Sequence, residues 1–339
     1  MRVTVVVPTY NRADLIGETL QSILDQTHTD WEAIVVDDGS SDNTSELMGE
    51  WCAREPRIRY VVQENSGAQV ARNKGLAEAT GEIVIFNDSD DLFHPEKLAD
   101  HVRMMSAQPE LDGTITQALW FKNRPEDGHK VWNRIITDNV LEHFVVQDIL
   151  WGTPSGAWRR EFLNRMGGWR LGVKSSQDVD FHIRAALEGH KIGIIPEVRC
   201  WIRIHDGPRV SGISRSKWIV DVVNITDFCV EEFARRGMLD DRWKHILAAN
   251  YLWCARKQAR DDSLDKAREY ARKGIDLEPS GSKRGLLKLL MPLFLRLTHH
   301  IKPFYYASYL INLALGLEIK RYNWHQQYTT EDWLPASRF

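Results

Sequence analysis

Cysteine is scarce and poorly placed for pairing. The 339 residues hold four, Cys52, Cys200, Cys229 and Cys254, with no CxxC spacing among them. Neither a disulfide framework nor a cysteine-ligated zinc site is indicated, and a reducing compartment fits. An excess of one charge is also missing. Lys and Arg number 44 against 47 Asp and Glu, for a net charge of −3, so the composition offers no global electrostatic reason to bind nucleic acid. Long apolar runs are lacking as well. The opening MRVTVVVPTYNR has only a short β-branched run closed by Pro8, unlike a signal peptide. The longest uncharged run near the C-terminus, Pro303 to Leu317, is shorter than the about 20 residues needed to span a bilayer. The expected location is cytoplasmic, with the inner face of the membrane as a further expectation. What is present, 43% hydrophobic and 27% charged residues, is the composition of a soluble globular protein, and the length suggests about two domains.

The first hundred residues alternate strand and helix signals. VTVVV, WEAIVVDD, RIRYVV and EIVIF read as strands; RADLIGETLQSILDQT, SDNTSELMGEWCAR and GAQVARNKGLAEAT read as helices, the second with Asp42 as N-cap. This alternation predicts an α/β fold, a mostly parallel central sheet with helices on both faces. Ligands bind such sheets beyond the carboxyl ends of the strands. The polar clusters PTYNR, DDGSSDNT and NDSDD fall at those ends. Further on, a helix is expected from Pro95 to about Ser106, then strands GTITQALWF and KVWNRII, then a short strand, a helix and a Gly-Gly stop in GTPSGAWRREFLNRMGGW. A helix over SSQDVDFHIRAALEGH and strands KIGIIP and VRCWIRIH close the first region.

In GEIVIFNDSDDLFHP three carboxylates, Asp88, Asp90 and Asp91, follow a buried strand within four positions. Like charges so close repel. Asp88 and Asp90, flanking Ser89, are hard oxygen ligands that could share a divalent cation, which would offset the repulsion and stay open to phosphate. The competing reading is that Asp88 or Asp91 caps the helix that starts near Pro95.

Taken together, VVVPTYNR, IVVDDGSSDNT, NSGAQVARNKGL and FNDSDD resemble the inverting family-two glycosyltransferases of the GT-A nucleotide-diphospho-sugar transferase fold. The resemblance extends to about Ser214 and defines a catalytic domain over 1–215, followed by a mostly helical region over 216–339. It implies a nucleotide-sugar donor, a UDP-sugar, and a divalent cation, Mn2+ or Mg2+. In that resemblance Pro8, Thr9 and Tyr10 line the base pocket, Asp38 accepts the uracil N3–H, Arg72 lies near the base and diphosphate, Asp88 with Ser89 sits towards the ribose, and Asp90 binds the metal. SSQDVDFHIR is similar to the family's Glu-Asp-x-Asp pattern, with Gln177 where the family has Glu. The aligned general base is Asp178, with Asp180 as its alternative. His205 resembles a histidine that completes the metal shell.

The chemistry accounts for these residue types. Expelling a nucleoside diphosphate builds negative charge that a Lewis acid stabilises, and the attacking hydroxyl must lose a proton to a base. After His205, Gly207, Pro208, Arg209, Gly212 and Arg215 have the composition of a lid over the diphosphate. Trp151, Trp158, Trp169 and Trp201 are read mainly as core, with Trp151 and Trp169 as candidates for an acceptor platform. Two rivals remain open. A nucleotidyltransferase would show a glycine-rich, basic loop where PTYNR stands; a non-catalytic nucleotide-sugar binding module would not need the full set of carboxylates.

The region from about Ser216 reads as helical. Arg242 to Pro279 resembles one tetratricopeptide hairpin, which alone cannot build a solenoid. Lys283 to Arg321 mixes leucines with Lys and Arg; it fits either a helical pair packed on the catalytic domain or in a homo-oligomer contact, or a peripheral membrane segment. The expected acceptor is a glycan or a lipid-linked molecule.

Overall fold

The computed structural model describes residues 1–204 apart from 129, 132, 134 and 136, residues 215–281 apart from 262 and 280, and residues 284, 285, 290 and 291. The elements run β1 (Val3–Thr9), α1 (Ile16–Leu24), β2 (Trp31–Asp37), α2 (Thr44–Arg54), β3 (Ile58–Val62), α3 (Ala68–Glu78), β4 (Ile83–Phe86), β5 (Leu92–Phe93), α4 (Lys97–Ala107), β6 (Gly113–Phe121), β7 (Lys130–Val131), α5 (Val140–Val145), β8 (Gly156–Arg159), α6 (Arg160–Met166), α7 (Gln177–Leu187), β9 (Ile192–Arg203), α8 (Arg215–Arg235), α9 (Asp241–Asp261) and α10 (Leu264–Leu277).

One mixed sheet of nine strands organises the described residues, in the order β3-β2-β1-β4-β8-β6-β9-β5 with β7 paired to β6. The first four neighbours are parallel; β8 runs antiparallel to β4 and β6. Alternation along β1 divides the core. Val6 faces one cluster with Ala71 and Leu76 of α3, Phe162 of α6 and Phe181 of α7. Val5 and Val7 face the other, with Leu20 of α1, Met48 of α2 and Leu98 of α4. Strands buried on both faces are the form a parallel sheet takes when helices cover it twice.

The expected elements appear, with four differences. The helix expected from Arg12 begins at Ile16, because Arg12–Leu15 form a turn with the amides of Leu15 and Ile16 both on the Arg12 carbonyl. Helix α2 has Asn43 at its N-cap, while the Asp42 side chain still accepts from the Thr44 amide at 3.1 Å. KIGIIP and VRCWIRIH form one strand, β9, whose register against β6 shifts around Thr116 and Gln117; the shift accommodates Pro196, which cannot donate to a regular ladder. Of KVWNRII, Lys130 and Val131 are strand, and 132, 134 and 136 lie outside the described residues. Most of Lys283 to Arg321 lies outside them too.

After the sheet closes, α8 returns onto the face bearing α3 and α7. Its Ile225, Cys229 and Phe233, with Ile246 and Leu247 of α9, belong to the same cluster as Val6, Phe86 and Trp158. Beyond it α8, α9 and α10 share a further cluster that includes Ile219, Val222, Leu252, Ala267 and Ile275. Among the described residues no helix is long and apolar enough to cross a membrane.

Helix α3 lies close against β1 because Gly75 has no side chain: a Cβ there would come within 2.3 Å of Val6 Cγ1. Gly75→Ala gains helix propensity but overpacks this contact, so a net loss of about 1–2 kcal/mol is expected. Urea unfolding of the variant checks it, and unchanged stability would mean that α3 can move off the sheet.

Candidate active site

Three loops meet at the carboxyl ends of β1, β2 and β4. The first two are joined directly. The Asp38 amide donates to the Thr9 carbonyl at 2.8 Å. Asn11 stands in the left-handed region at φ 51°, a conformation Asn tolerates better than most residues. From there its amide donates to Ser40 Oγ at 2.8 Å and its Oδ1 accepts from the Ser41 amide at 2.8 Å. Pro8 and Thr9 are buried, while Tyr10 is 47% exposed. Asp37 ends β2, accepting from the Ser40 amide at 2.8 Å and from the Tyr60 hydroxyl; burial and this carboxylate push the Tyr60 hydroxyl up to about 12. Asp38 is buried and organises the next loop: Oδ1 accepts from Gln63 Nε2 at 2.7 Å and the Ser66 amide at 2.8 Å, and Oδ2 from the Gly67 amide at 2.8 Å. A carboxylate has about four acceptor sites, so three donors do not exhaust it.

The acidic loop after β4 distributes its charge over three partners. Asp88 Oδ1 accepts from Arg72 Nη2 at 2.7 Å, with 41% of its side chain exposed. Asp90 Oδ2 lies 3.9 Å from Arg12 Nε, 18% exposed. Asp91 is buried and accepts the Arg203 amide at 3.0 Å, while Arg203 Nε donates to the Asp90 carbonyl at 3.1 Å and Nη2 pairs with Glu18 at 2.6 Å. Ser89 between them is buried. The capping alternative is not realised: α4 has Glu96 at its N-cap and no side-chain cap. Asp91 is taken by β9 instead.

Arg72 carries the acidic loop across to α7. Its side chain is 6% exposed. Besides Asp88, it donates from Nη1 to Gln177 Oε1 at 2.5 Å, and its guanidinium lies 4.6 Å from the centre of the Trp169 ring. Gln177 Nε2 donates in turn to Gln69 Oε1 at 3.0 Å and the Lys174 carbonyl at 3.1 Å. Asp178, the next residue, is partly buried in the first turn of α7 and accepts from the Thr153 hydroxyl. Burial raises its carboxyl above the ordinary value and the Asp88 charge adds to the rise, while the Thr153 hydroxyl and the Arg72 charge hold it down. Asp180 is buried between Arg170 at 2.6 Å and Arg184 at 2.9 Å, so both arginines tie it into the core.

Trp151 and Trp169, candidates for an acceptor platform, are core residues instead. Both are buried. Trp169 stacks on Phe181 at 4.5 Å and Trp151 packs edge-on to Phe144 at 5.6 Å, because the helix layer of α5, α6 and α7 needs large apolar area to cover the sheet. His205 and the segment 207–212 lie outside the described residues, as does the side chain of Arg215.

Among the described residues no three of His, Cys, Asp and Glu form a metal cluster. The donor set suits a different kind of site. Asp88 and Asp90 keep partly exposed carboxylates at the crevice, and a hard cation of the Mg2+ or Mn2+ type takes one or two protein carboxylates and completes its shell with phosphate and water. Arg12, Asn11, Thr153 and Arg203 are the site residues that sequence reasoning missed. Asn11 and Arg12 stood in a motif it singled out, whereas Thr153 and Arg203 carried no local signal.

Residues 4–166 match the family model for Glycosyl transferase family 2. Over 235 residues, 68% of this chain, the sequence is 41% identical to an uncharacterized glycosyltransferase of Rickettsia felis, and it spans 37% of that protein's length. Among solved structures it is similar to S. aureus TarS 1–349 in complex with UDP-GlcNAc, with TM-score 0.67 and 20% identity, covering 93% of this chain and 92% of that one. It is also similar to the mannosyltransferase PcManGT of Pyrobaculum calidifontis in complex with GDP-Man and Mn2+, with TM-score 0.54 and 25% identity, covering 92% of this chain and 87% of that one. Residues 4–166 thus match glycosyltransferase family 2, and the fold is the GT-A architecture.

The Thr153 hydroxyl favours the ionised form of Asp178, so removing it raises the carboxyl further. Carbon-13 NMR titration of Asp178 is expected to place wild type above the usual Asp value of about 3.9, with Thr153→Val higher still. A variant titrating at or below wild type would show that the hydroxyl does not hold this carboxylate.

Proposed function

We propose that the chain is an inverting, divalent-cation-dependent glycosyltransferase that moves a sugar from a UDP-sugar to a hydroxyl of a glycan or lipid-linked acceptor, in the synthesis of surface polysaccharide or another glycoconjugate. The observation that carries this reading is the pair of hydrogen bonds from Arg72, to Asp88 on the donor-side loop and to Gln177 beside Asp178. They set a partly exposed acidic loop and a carboxylate of raised pKa across one crevice. The UDP-GlcNAc complex of TarS and the GDP-Man and Mn2+ complex of PcManGT support a nucleotide-sugar donor and a cation. Asp38 beside Thr9 is the residue for uracil.

In this mechanism Pro8, Thr9, Tyr10 and Asp38 bind the base, and Arg72 with Asp88 and Ser89 holds the ribose and diphosphate end of the donor. Asp90, with Asp88 beside it and His205 as a further ligand, would hold the cation, which supplies Lewis-acid stabilisation of charge on the leaving diphosphate when bound. Asp178 takes the proton of the acceptor hydroxyl as its oxygen forms a bond to the sugar C1 and the C1–phosphate oxygen bond breaks. A single displacement from the face opposite the diphosphate inverts the anomeric centre. The raised pKa of Asp178 brings it nearer the working pH, where a general base is most effective, and Thr153 fixes which oxygen faces the acceptor.

Asp90→Asn is expected to lower transfer by about 10²–10³, the usual cost of losing electrostatic stabilisation of a leaving group, and chelator to do the same to wild type. Activity that persists in chelator would reject the cation.

Asp178→Asn is expected to abolish transfer while calorimetric binding of UDP with Mn2+ stays nearly intact, and proton NMR of the wild-type product to show inverted configuration. Transfer near the wild-type rate, or retained configuration, would reject Asp178 as the base.

A further inference from the structure

Helix α7 begins without a side-chain cap: Ser176 occupies the N-cap position but makes no capping hydrogen bond. Its start follows a loop whose glycines Gly167, Gly168 and Gly172 all have positive φ and whose tip residue Leu171 is 62% exposed. Such a segment has little intrinsic preference for one path, yet it leads directly into Gln177 and Asp178. Arg184 holds its start through the Met166 and Gly168 carbonyls, Arg170 within it pairs with Asp180, and two further anchors fix its ends. At the near end Asn73 of α3 and Trp169 exchange hydrogen bonds at 2.7 Å in each direction. At the far end, next to α7, the anchor comes from outside the nucleotide-binding half.

Asp221 of α8 is buried. Its Oδ2 accepts from the Lys174 amide at 3.1 Å, the Ser175 amide at 2.7 Å and the Ser175 hydroxyl at 2.6 Å. Bonds to a buried carboxylate are among the stronger ones in a protein. The residues on either side, Ile219, Val222 and Val223, are packed with α9 and α10, so the carboxylate is presented from a rigid helix. From Lys174 the hydrogen bonds continue: its carbonyl accepts from Gln177 Nε2, Gln177 Oε1 accepts from Arg72, and Arg72 donates to Asp88.

We propose that Asp221 is a positioning residue for the transfer reaction: through Lys174 and Ser175 it fixes the start of α7, and with it Asp178, relative to the donor-side acidic loop. The helical region after the sheet thereby contributes to the geometry of catalysis while its carboxylate stays away from substrate. This rests on Asp178 as the acceptor base; the exchange measurement below does not.

The test uses the full chain with Asp221→Ala, Asp221→Asn and Ser175→Ala. Hydrogen exchange followed by mass spectrometry, without substrate, is expected to show amides over 174–180 of Asp221→Ala losing protection by about tenfold or more, with β1, β4 and α9 unchanged. Transfer kcat is expected to fall by about 10–100-fold, the range for loss of an orienting partner, with the donor KM within about threefold of wild type. Asp221→Asn keeps an acceptor oxygen and recovers part of the loss. Ser175→Ala alone costs about two- to fivefold and adds nothing in the Asp221→Ala background, as expected of one coupled unit. If Asp221→Ala does not fold, Asp221→Asn and Ser175→Ala carry the same measurements on the smaller scale. Unchanged exchange over 174–180, kcat within about threefold of wild type in Asp221→Ala, or donor affinity lost in parallel with kcat would each overturn the proposal. A wild-type chain with no transfer overturns the functional reading instead, and exchange alone then decides whether Asp221 holds the start of α7.

Discussion

A buried guanidinium is costly unless its charge is matched, and Arg72 finds partners on both sides of the crevice. Asp88 takes its charge at Nη2, Gln177 accepts from Nη1, and the face of Trp169 closes over it, while Nε has no hydrogen-bond partner among the described residues. The planar, fixed geometry of the group matters here, since a flexible ammonium could not hold the two partners in a set relation. The acidic loop and the first turn of α7 come from distant parts of the chain. Arg72 makes their separation a property of the fold, as the proposed transfer requires of the leaving diphosphate and the attacking hydroxyl.

The same constraint explains how three carboxylates crowd one loop. Each answers to a different element: Asp88 to α3, Asp90 to Arg12 after β1, Asp91 to the backbone of β9. Repulsion between them is offset by partners that also carry information about position, so the loop is held by the sheet and by α3 together. Asp91, the most buried of the three, serves structure, while Asp88 and Asp90 stay partly exposed at the crevice. Division of labour between neighbouring carboxylates recurs on α7, where two arginines draw Asp180 into the core and Asp178 is left facing Thr153.

The helices after β9 extend this arrangement. Cys229 and Phe233 lie in the same apolar cluster as Phe86 at the end of β4, and Asn250 of α9 donates to the Val145 carbonyl of α5 at 2.7 Å. With the loop before α7 pinned to α8 as well, the α7 side of the crevice is built jointly by the sheet's own helices and by α8 and α9. Movement of that side would need these contacts to break together, which favours a rigid platform for Asp178.

Much of this was legible from the residues alone. Short apolar runs alternating with amphipathic segments determined the parallel part of the sheet, β3-β2-β1-β4, because burial on both faces requires that pattern, and the polar clusters after β1, β2 and β4 marked the crevice, because backbone leaving a buried strand must find water or a ligand. Gly167 read as a helix stop because only a residue without Cβ takes that left-handed turn cheaply. Tertiary structure alone decided the rest. That Asp91 belongs to β9, that Asp42 Oδ2 accepts from the Ala13 amide at 3.1 Å, that Trp169 is core and also a bed for Arg72, that Thr153 touches Asp178, and that Asp221 holds the loop before α7 are all contacts between residues far apart in the chain. Local pattern reports propensity and which face of an element is buried. Which buried polar group meets which partner depends on how the elements pack.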